Sequence, residues 1–241
     1  MGARRLFVPA DRLAGTTATL TGPEHHHLTI VLRARPGEAV TLFDGDGVEV
    51  DARITRIDSQ RAELELGERR AGVVGAAITL LAAVPRGPRM DVLLQKAVEV
   101  GASRIVPVIA ARSVARPEPS RRERWATIAR EAARQCGRAD LPVVEPPADL
   151  ASALRSPGLP ARRLALFERD DGPGLQSALA GLPPAPTALL VGPEGGWDPA
   201  EREAARAAGF LGVSLGARIL RVETAAIVAV ALTAAAYGDL G

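Results

Sequence analysis

Ala188-Leu189-Leu190-Val191 runs straight into Gly192-Pro193-Glu194-Gly195-Gly196-Trp197. Further on, Ser214-Leu215-Gly216-Ala217-Arg218-Ile219-Leu220-Arg221 runs into Val222-Glu223-Thr224 and a long alanine-rich segment. Each stretch is a short apolar run ending in a glycine turn, and the alanine-rich segment has the composition of a buried helix. Glycine lets backbone approach a ligand closely, so two such turns at strand ends would close two stretches of chain on one flat molecule. A dinucleotide fingerprint would need G-x-G-x-x-G early in a βαβ unit, and neither the pattern nor the place fits. The first turn also reads as a strand-to-helix connection, with Asp198-Pro199 starting a helix that contains Glu201 and Glu203.

Working outward, apolar runs alternate with helical segments: Ile78–Val84, Met90–Val100, Arg104–Ile109, Arg121–Cys136, Leu164–Phe167, Thr187–Val191 and Leu211–Ser214. That alternation is α/β grammar. From Arg4 to about Gly67 the grammar differs, with short alternating runs at Ala39–Phe43, Gly47–Ala52 and Arg61–Leu66 that predict a small β-barrel. Asp44-Gly45-Asp46-Gly47 is a hairpin turn by composition; it lacks the remaining positions of a calcium loop. Arg69–Gly75 reads as a linker, placing a domain boundary near residue 72, with domains 1–71 and 72–241.

A chain of 241 residues, 47% of them apolar, fills a substantial core without staples. The single cysteine, Cys136, excludes an internal disulfide and reads as a packed thiol; no basic segment leads into an apolar run of signal-peptide type, so a cytoplasmic location is expected. Ala225–Ala236 is too short to span a bilayer, which needs about 20 apolar residues. No membrane segment is expected. Net charge is only +2, so any nucleic-acid footprint must come from local clusters: Arg4-Arg5, Arg33 with Arg35, Arg69-Arg70, Arg86 with Arg89, Arg121-Arg122 with Arg124, Arg134 with Arg138. Lys96 is the only lysine, a bias that fits a GC-rich genome as well as it fits phosphate binding. His25-His26-His27 point in different directions on any regular element and no carboxylate or cysteine set completes a zinc pattern, so no metal is expected.

The two glycine turns resemble the C-terminal signature of SPOUT-class RNA methyltransferases, and most closely the ribosomal RNA small subunit methyltransferase E family. Arg4–Pro9, His25–Arg33 with Gly37, Arg89–Gly101 with Lys96 and Glu99, and Glu131–Arg138 with Pro142 match the same family in order. The resemblance implies an N-terminal PUA-like RNA-binding barrel and a C-terminal SPOUT domain with a deep trefoil knot, a feature no periodicity argument reaches. It implies a homodimer that uses S-adenosyl-L-methionine to methylate N3 of a uridine in 16S rRNA of the small ribosomal subunit. Two alternatives remain: a SPOUT enzyme acting on a ribose 2′-hydroxyl of tRNA or 23S rRNA, and a non-catalytic ribosome-assembly factor that retains the fold.

On that reading Phe167, Leu190, Val191, Gly192, Gly195, Gly196, Leu215, Gly216, Ile219, Leu220, Thr224 and Ala225 hold the cofactor. Uridine N3 carries an imide proton that must leave, spreading negative charge to the flanking carbonyl oxygens, and an arginine beside them would help. Arg221, next to the second glycine turn, is the first choice for stabilising that charge or gripping the target nucleotide; the alternative is a structural arginine closing the last helix. Glu194 and Glu223 are the nearest carboxylates, each placed by sequence either to act as base or to fix Arg221. Arg4, Arg5, His26, Arg33, Arg86, Arg89, Lys96, Arg134 and Arg138 are the RNA-binding expectation. Glu131 and Gln135, one helical turn apart, form a polar stripe on the substrate or dimer side. Phe7, Phe43 and Trp197 are among the few aromatics available for base stacking.

Overall fold

The computed structural model describes residues 4–113, 121–167 and 172–241. The chain divides into two compact units, Met1–Val74 with Ala133–Leu141, and Gly75–Ala132 with Pro142–Gly241.

In the first unit five strands lie in the order β1-β3-β4-β5-β2: β1 (Arg5–Phe7), β2 (Thr17–Thr21), β3 (Ala39–Phe43), β4 (Val48–Ile57) and β5 (Arg61–Ala71). All neighbours are antiparallel except β1 and β3. The expected barrel is thus an open sheet with β1 and β2 at its ends. β5 runs on through Arg69–Ala71, where a linker was expected. Alternation puts one face on a core: Ala18 and Leu20 of β2, and Val50, Ala52 and Ile54 of β4, are buried. Leu28 joins that core from the π turn His27–Val31, which follows a short helix α1 (Gly22–His26). The β3–β4 hairpin forms as composition predicts. Asp44 Oδ1 accepts from the backbone N–H of Asp46 at 2.8 Å and of Val48 at 2.9 Å.

In the second unit every strand pair is parallel, in the order β12-β10-β11-β6-β7-β8. The strands are β6 (Ile78–Ala83), β7 (Ala102–Ile109), β8 (Val143–Val144), β10 (Arg162–Leu166), β11 (Thr187–Val191) and β12 (Leu211–Val213), with β9 (Ala148–Asp149) also pairing β7. Every residue of β6 and β11 is buried, as a parallel sheet covered on both faces requires. Helix α7 (Val222–Ala236) packs on α2 (Arg89–Glu99), α5 (Leu175–Leu179), β6 and β11. On a core with Leu81, Val106, Val108 and Leu190 sit Leu150 and Leu154 of α4 (Leu150–Leu154) and Ala205 of α6 (Pro199–Ala207). Helix α3 (Arg121–Cys136) carries the fully buried Trp125.

Chain order reverses between β6 and β11: β7 and β8 extend the sheet from β6 on one side, β10 and β12 from β11 on the other. Ligands of open parallel sheets bind beyond the carboxyl ends of strands at such a switch point. β11 ends there in Gly192 and β12 in Ser214, so topology places both glycine turns at one edge.

Candidate functional site

The first turn is braced by its tryptophan. Gly196 N–H donates to Pro193 O at 2.9 Å, and Trp197, 7% exposed, donates its indole N–H to Leu166 O at 3.3 Å, tying the end of β11 to the end of β10. A Cβ on Gly192 would lie 2.6 Å from Trp197 Nε1. Only glycine lets this backbone rest on the indole. Asp198 then caps α6 by a capping box: its side chain accepts from Ala200 N–H at 3.0 Å while Glu201 accepts from Asp198 N–H at 3.0 Å. In the second turn Ser214 N–H donates to Pro173 O at 3.0 Å, and Ser214 O accepts from Leu175 N–H at 2.9 Å. Arg221 is the N-cap residue of α7.

Between the turns lies a cavity of about 450 Å³, inside the range of roughly 300–1,000 Å³ that small-molecule sites occupy. Of the residues expected to hold a cofactor, Phe167, Val191, Gly192, Gly196, Leu215, Gly216, Ile219, Leu220 and Ala225 line it. Three do not. Leu190 points into the sheet core, Thr224 is exposed, and Gly195 turns its carbonyl to Arg112 Nη1 at 3.2 Å. The cavity adds Ala217 and Arg218 within the second turn, and Leu166, Pro193, Trp197, Val213, Ser214 and Val222, which sequence reasoning missed. Reading each turn as one continuous wall would have found most of them. Phe167 is 4% exposed, with the guanidinium carbons of Arg202 and Arg206 at 5.0 and 5.4 Å from its ring centre.

The polar groups are arranged differently from the expectation. Glu194 lines the cavity; Glu223 and Arg221 do not. Arg221 is exposed and has no ion-pair partner among the described residues, so neither carboxylate fixes it. Arg89 takes that place. Its Nη1 is 3.3 Å from Glu194 Oε1 and its Nε 3.8 Å from Glu223 Oε1, so one guanidinium at the start of α2 joins the first glycine turn to the start of α7. Glu223 Oε2 is buried with no hydrogen-bond partner among the described residues. Arg218 lines the cavity, and it and Arg86 are exposed without ion-pair partners among the described residues. Lys96 pairs with Glu99 at 2.7 Å.

In the first unit most of the expected RNA contacts are occupied. Arg4 pairs with Glu38. Arg5 pairs with Glu49 at 2.5 Å, donates to Arg138 O at 3.1 Å and lies over the Phe43 ring at 5.3 Å. Arg138 is 3% exposed and holds Asp140 through Nε at 2.9 Å and Nη2 at 2.5 Å. Buried in this way it braces Asp140, and the RNA contact expected of it has no exposed guanidinium to work with. Arg134 is half-buried, while His26 and Arg33 are exposed. His25 Nε2 lies 2.9 Å from Asp58 O, and no group of three or more His, Cys, Asp or Glu among the described residues could hold a metal ion. Phe43 is fully buried and Trp197 nearly so, which removes both as base-stacking platforms; Phe7 is partly buried, its ring centre 5.8 Å from that of Phe43. Cys136 is exposed, not packed, and Glu131 and Gln135 are exposed on α3. No described helix is long and apolar enough to cross a membrane.

Comparison with known proteins fits this geometry. Residues 75–234 match the family model of an RNA methyltransferase domain, and residues 20–67 that of an RNA methyltransferase PUA domain. The chain is 34% identical over 233 residues to the ribosomal RNA small subunit methyltransferase E of Synechocystis sp., covering 95% of this chain and 76% of that protein. It is 34% identical over 244 residues to the Mycobacterium bovis protein of the same name, covering 95% and 90%. Among solved structures, the Neisseria gonorrhoeae ribosomal RNA small subunit methyltransferase E bound to S-adenosyl methionine matches with a TM-score of 0.85 at 35% identity, covering 97% of this chain and 98% of that one.

Proposed function

Because the chain belongs to the ribosomal RNA small subunit methyltransferase E family, we propose that it transfers a methyl group from S-adenosyl-L-methionine to N3 of a uridine in 16S rRNA of the small ribosomal subunit. We further propose that it works in the cytoplasm as a homodimer, with residues 1–71 as a PUA-like RNA-binding domain and 72–241 as the catalytic SPOUT domain. The observation that carries the reading is the single cavity bounded by both glycine turns at the carboxyl edge of the parallel sheet.

The cavity suits the cofactor chemically. Backbone at Val191, Gly192, Leu215 and Leu220 offers N–H and C=O groups for an adenine and a ribose, while Phe167 and Leu220 give apolar walls. Glu194 puts a carboxylate on the same wall, favourable to a sulfonium cation. When bound, the cofactor supplies a methyl already activated by that sulfonium. The chain's own residues then have to hold the reacting groups in line and exclude water. Arg218 and Arg221, beside the second turn and without ion-pair partners among the described residues, would meet the phosphate of an unstacked nucleotide or the charge that develops on the imide oxygens.

A trefoil knot is supported by how β12 is clasped. It pairs with β10 on one side, and beyond it Ser214 is bonded to both Pro173 and Leu175. A Cβ on Gly172 would lie 2.3 Å from Gly212 O, so the two segments pass at backbone contact.

The test is methyl transfer from labelled S-adenosylmethionine to small subunits from a strain lacking the gene, followed by nucleoside analysis. Labelled N3-methyluridine is expected. A different methylated nucleoside overturns the target, and tight cofactor binding without transfer to any subunit preparation overturns the enzyme.

A further inference from the structure

Arg89, Glu194 and Glu223 come from three separate elements and meet at one guanidinium, yet the two carboxylates are not equivalent. Glu194 lines the cavity, and its side chain is 31% exposed. Only its Oε1 faces Arg89, at 3.3 Å; its second oxygen has no hydrogen-bond partner among the described residues. Glu223 lies outside the cavity lining, its side chain 13% exposed, with Oε1 3.8 Å from Arg89 Nε and Oε2 buried without a hydrogen-bond partner among the described residues.

We propose that Glu194 accepts the N3 proton of the target uridine, and that Arg89, anchored by Glu223, is the positioning residue that aims it. This rests on the methyl-transfer reading above and decides between two carboxylates that the sequence leaves equal. Glu223 has its Oε2 buried and its side chain 13% exposed, so losing the Arg89 guanidinium, 3.8 Å from its Oε1, is unfavourable. That contact holds Arg89 at the first turn of α2, beside Glu194. With one oxygen of Glu194 held by Arg89, the other is left to meet the target base at a residue that lines the cavity. The step balances: the N3–H bond breaks, its electron pair stays on N3 and forms the N3–CH3 bond, and the sulfur keeps the pair of the bond it loses. The proton resides on Glu194 and passes to the water that reaches this partly exposed side chain. Glu223 lies outside the cavity lining, so its carboxylate is not presented to the base.

The variants that test this are Glu194→Gln, Glu194→Asp, Arg89→Lys and Glu223→Gln, each measured for cofactor affinity by calorimetry, thermal midpoint, and single-turnover methylation of small subunits against pH. Glu194→Gln should keep cofactor affinity within about twofold and lose rate by about a hundred- to ten-thousand-fold. Its residual rate should climb about tenfold per pH unit in alkali, as the imide ionises without help, a slope the wild type lacks. Glu194→Asp should restore much of the rate and remove the slope. Arg89→Lys and Glu223→Gln should lower rate more than cofactor affinity, and the double variant should be no slower than the slower single one. Three results overturn the proposal: full rate in Glu194→Gln, a Glu194→Gln defect that lies in cofactor affinity, or the alkaline slope in Glu223→Gln instead. If wild-type protein gives no N3-methyluridine, the parent reading fails first and takes this one with it; the variants fail alone only when wild type methylates N3.

Discussion

In the first unit, Arg5 and Arg70 share Glu49, Arg70 also reaches Asp51 at 2.6 Å, Arg4 holds Glu38 and Arg138 holds Asp140. At the carboxyl edge of the second unit's sheet, Arg86, Arg218 and Arg221 have no ion-pair partner among the described residues. The same side chain does two jobs in the two places. Where carboxylates are within reach, arginine knits strands together: hydrogen bonds from Arg70 to Asp51 and then Glu49 hold its guanidinium above the usual value. Where none is within reach, the fork of N–H donors stays open for phosphate. A basic cluster in sequence does not separate these cases, because each is decided by what the fold brings opposite.

The largest effect that would break this contrast is at Arg138. Replacing it by Ala removes a residue that is 3% exposed and whose guanidinium holds Asp140, itself with a side chain 15% exposed, at 2.9 and 2.5 Å. A loss of about 3 kcal/mol in unfolding free energy is expected, with RNA affinity of the remaining folded protein unchanged. Urea unfolding and filter binding read the two quantities separately. A stable Arg138→Ala protein with weakened RNA binding would put Arg138 in the second class and erase the distinction.

Next in size is Arg218→Ala. The side chain is exposed and bonds to nothing described, so the thermal midpoint should stay within a degree or two of wild type. Its affinity for small-subunit RNA should fall about tenfold, and the slope of log affinity against log salt should lose about one unit. Cofactor affinity should hold. Arg218 also lines the cavity, so a drop in cofactor affinity as large as the drop in RNA affinity would reassign it to the cofactor.

How far the sequence carried depends on range. The glycine turns are local, and Val191–Trp197 or Ser214–Arg221 can be read as strand exits without knowing any distant partner. The capping box at Asp198 and Glu201 and the Asp44 hairpin are equally local, and both form. Arg89 and Glu194 stand 105 residues apart, and nothing in either neighbourhood announces the pair. Only the strand order, which sets β11 beside β6, brings the start of α2 to the first glycine turn. Arg221 is singled out in sequence by its place beside the second glycine turn; as the residue that opens α7 it is exposed, while Glu223 sets its Oε1 3.8 Å from Arg89. Trp197 failed as a stacking platform for a similar reason: Gly192 leaves room for its indole, so the ring packs within the turn.

The smallest expected effect sharpens the contrast most. Arg4 is paired with Glu38, yet both side chains are about one-third exposed, at 35% and 37%, and Glu38 Oε2 also accepts from Arg35 N–H at 2.9 Å. An ion pair this wet is worth about 0–1 kcal/mol, since water solvates the separated charges nearly as well and salt screens the attraction. Arg4→Ala should therefore shift stability by less than about 1 kcal/mol, and Glu38→Gln should do no more. If pairing is what withholds an arginine from RNA, Glu38→Gln should also raise RNA affinity by freeing Arg4, and Arg4→Ala should abolish that gain. If pairing is only a resting arrangement that phosphate displaces at little cost, Glu38→Gln should change nothing, while Arg4→Ala should reduce the salt slope as Arg218→Ala does. The second result would confine the contrast to buried pairs such as Arg138 with Asp140, where the cation has no route out.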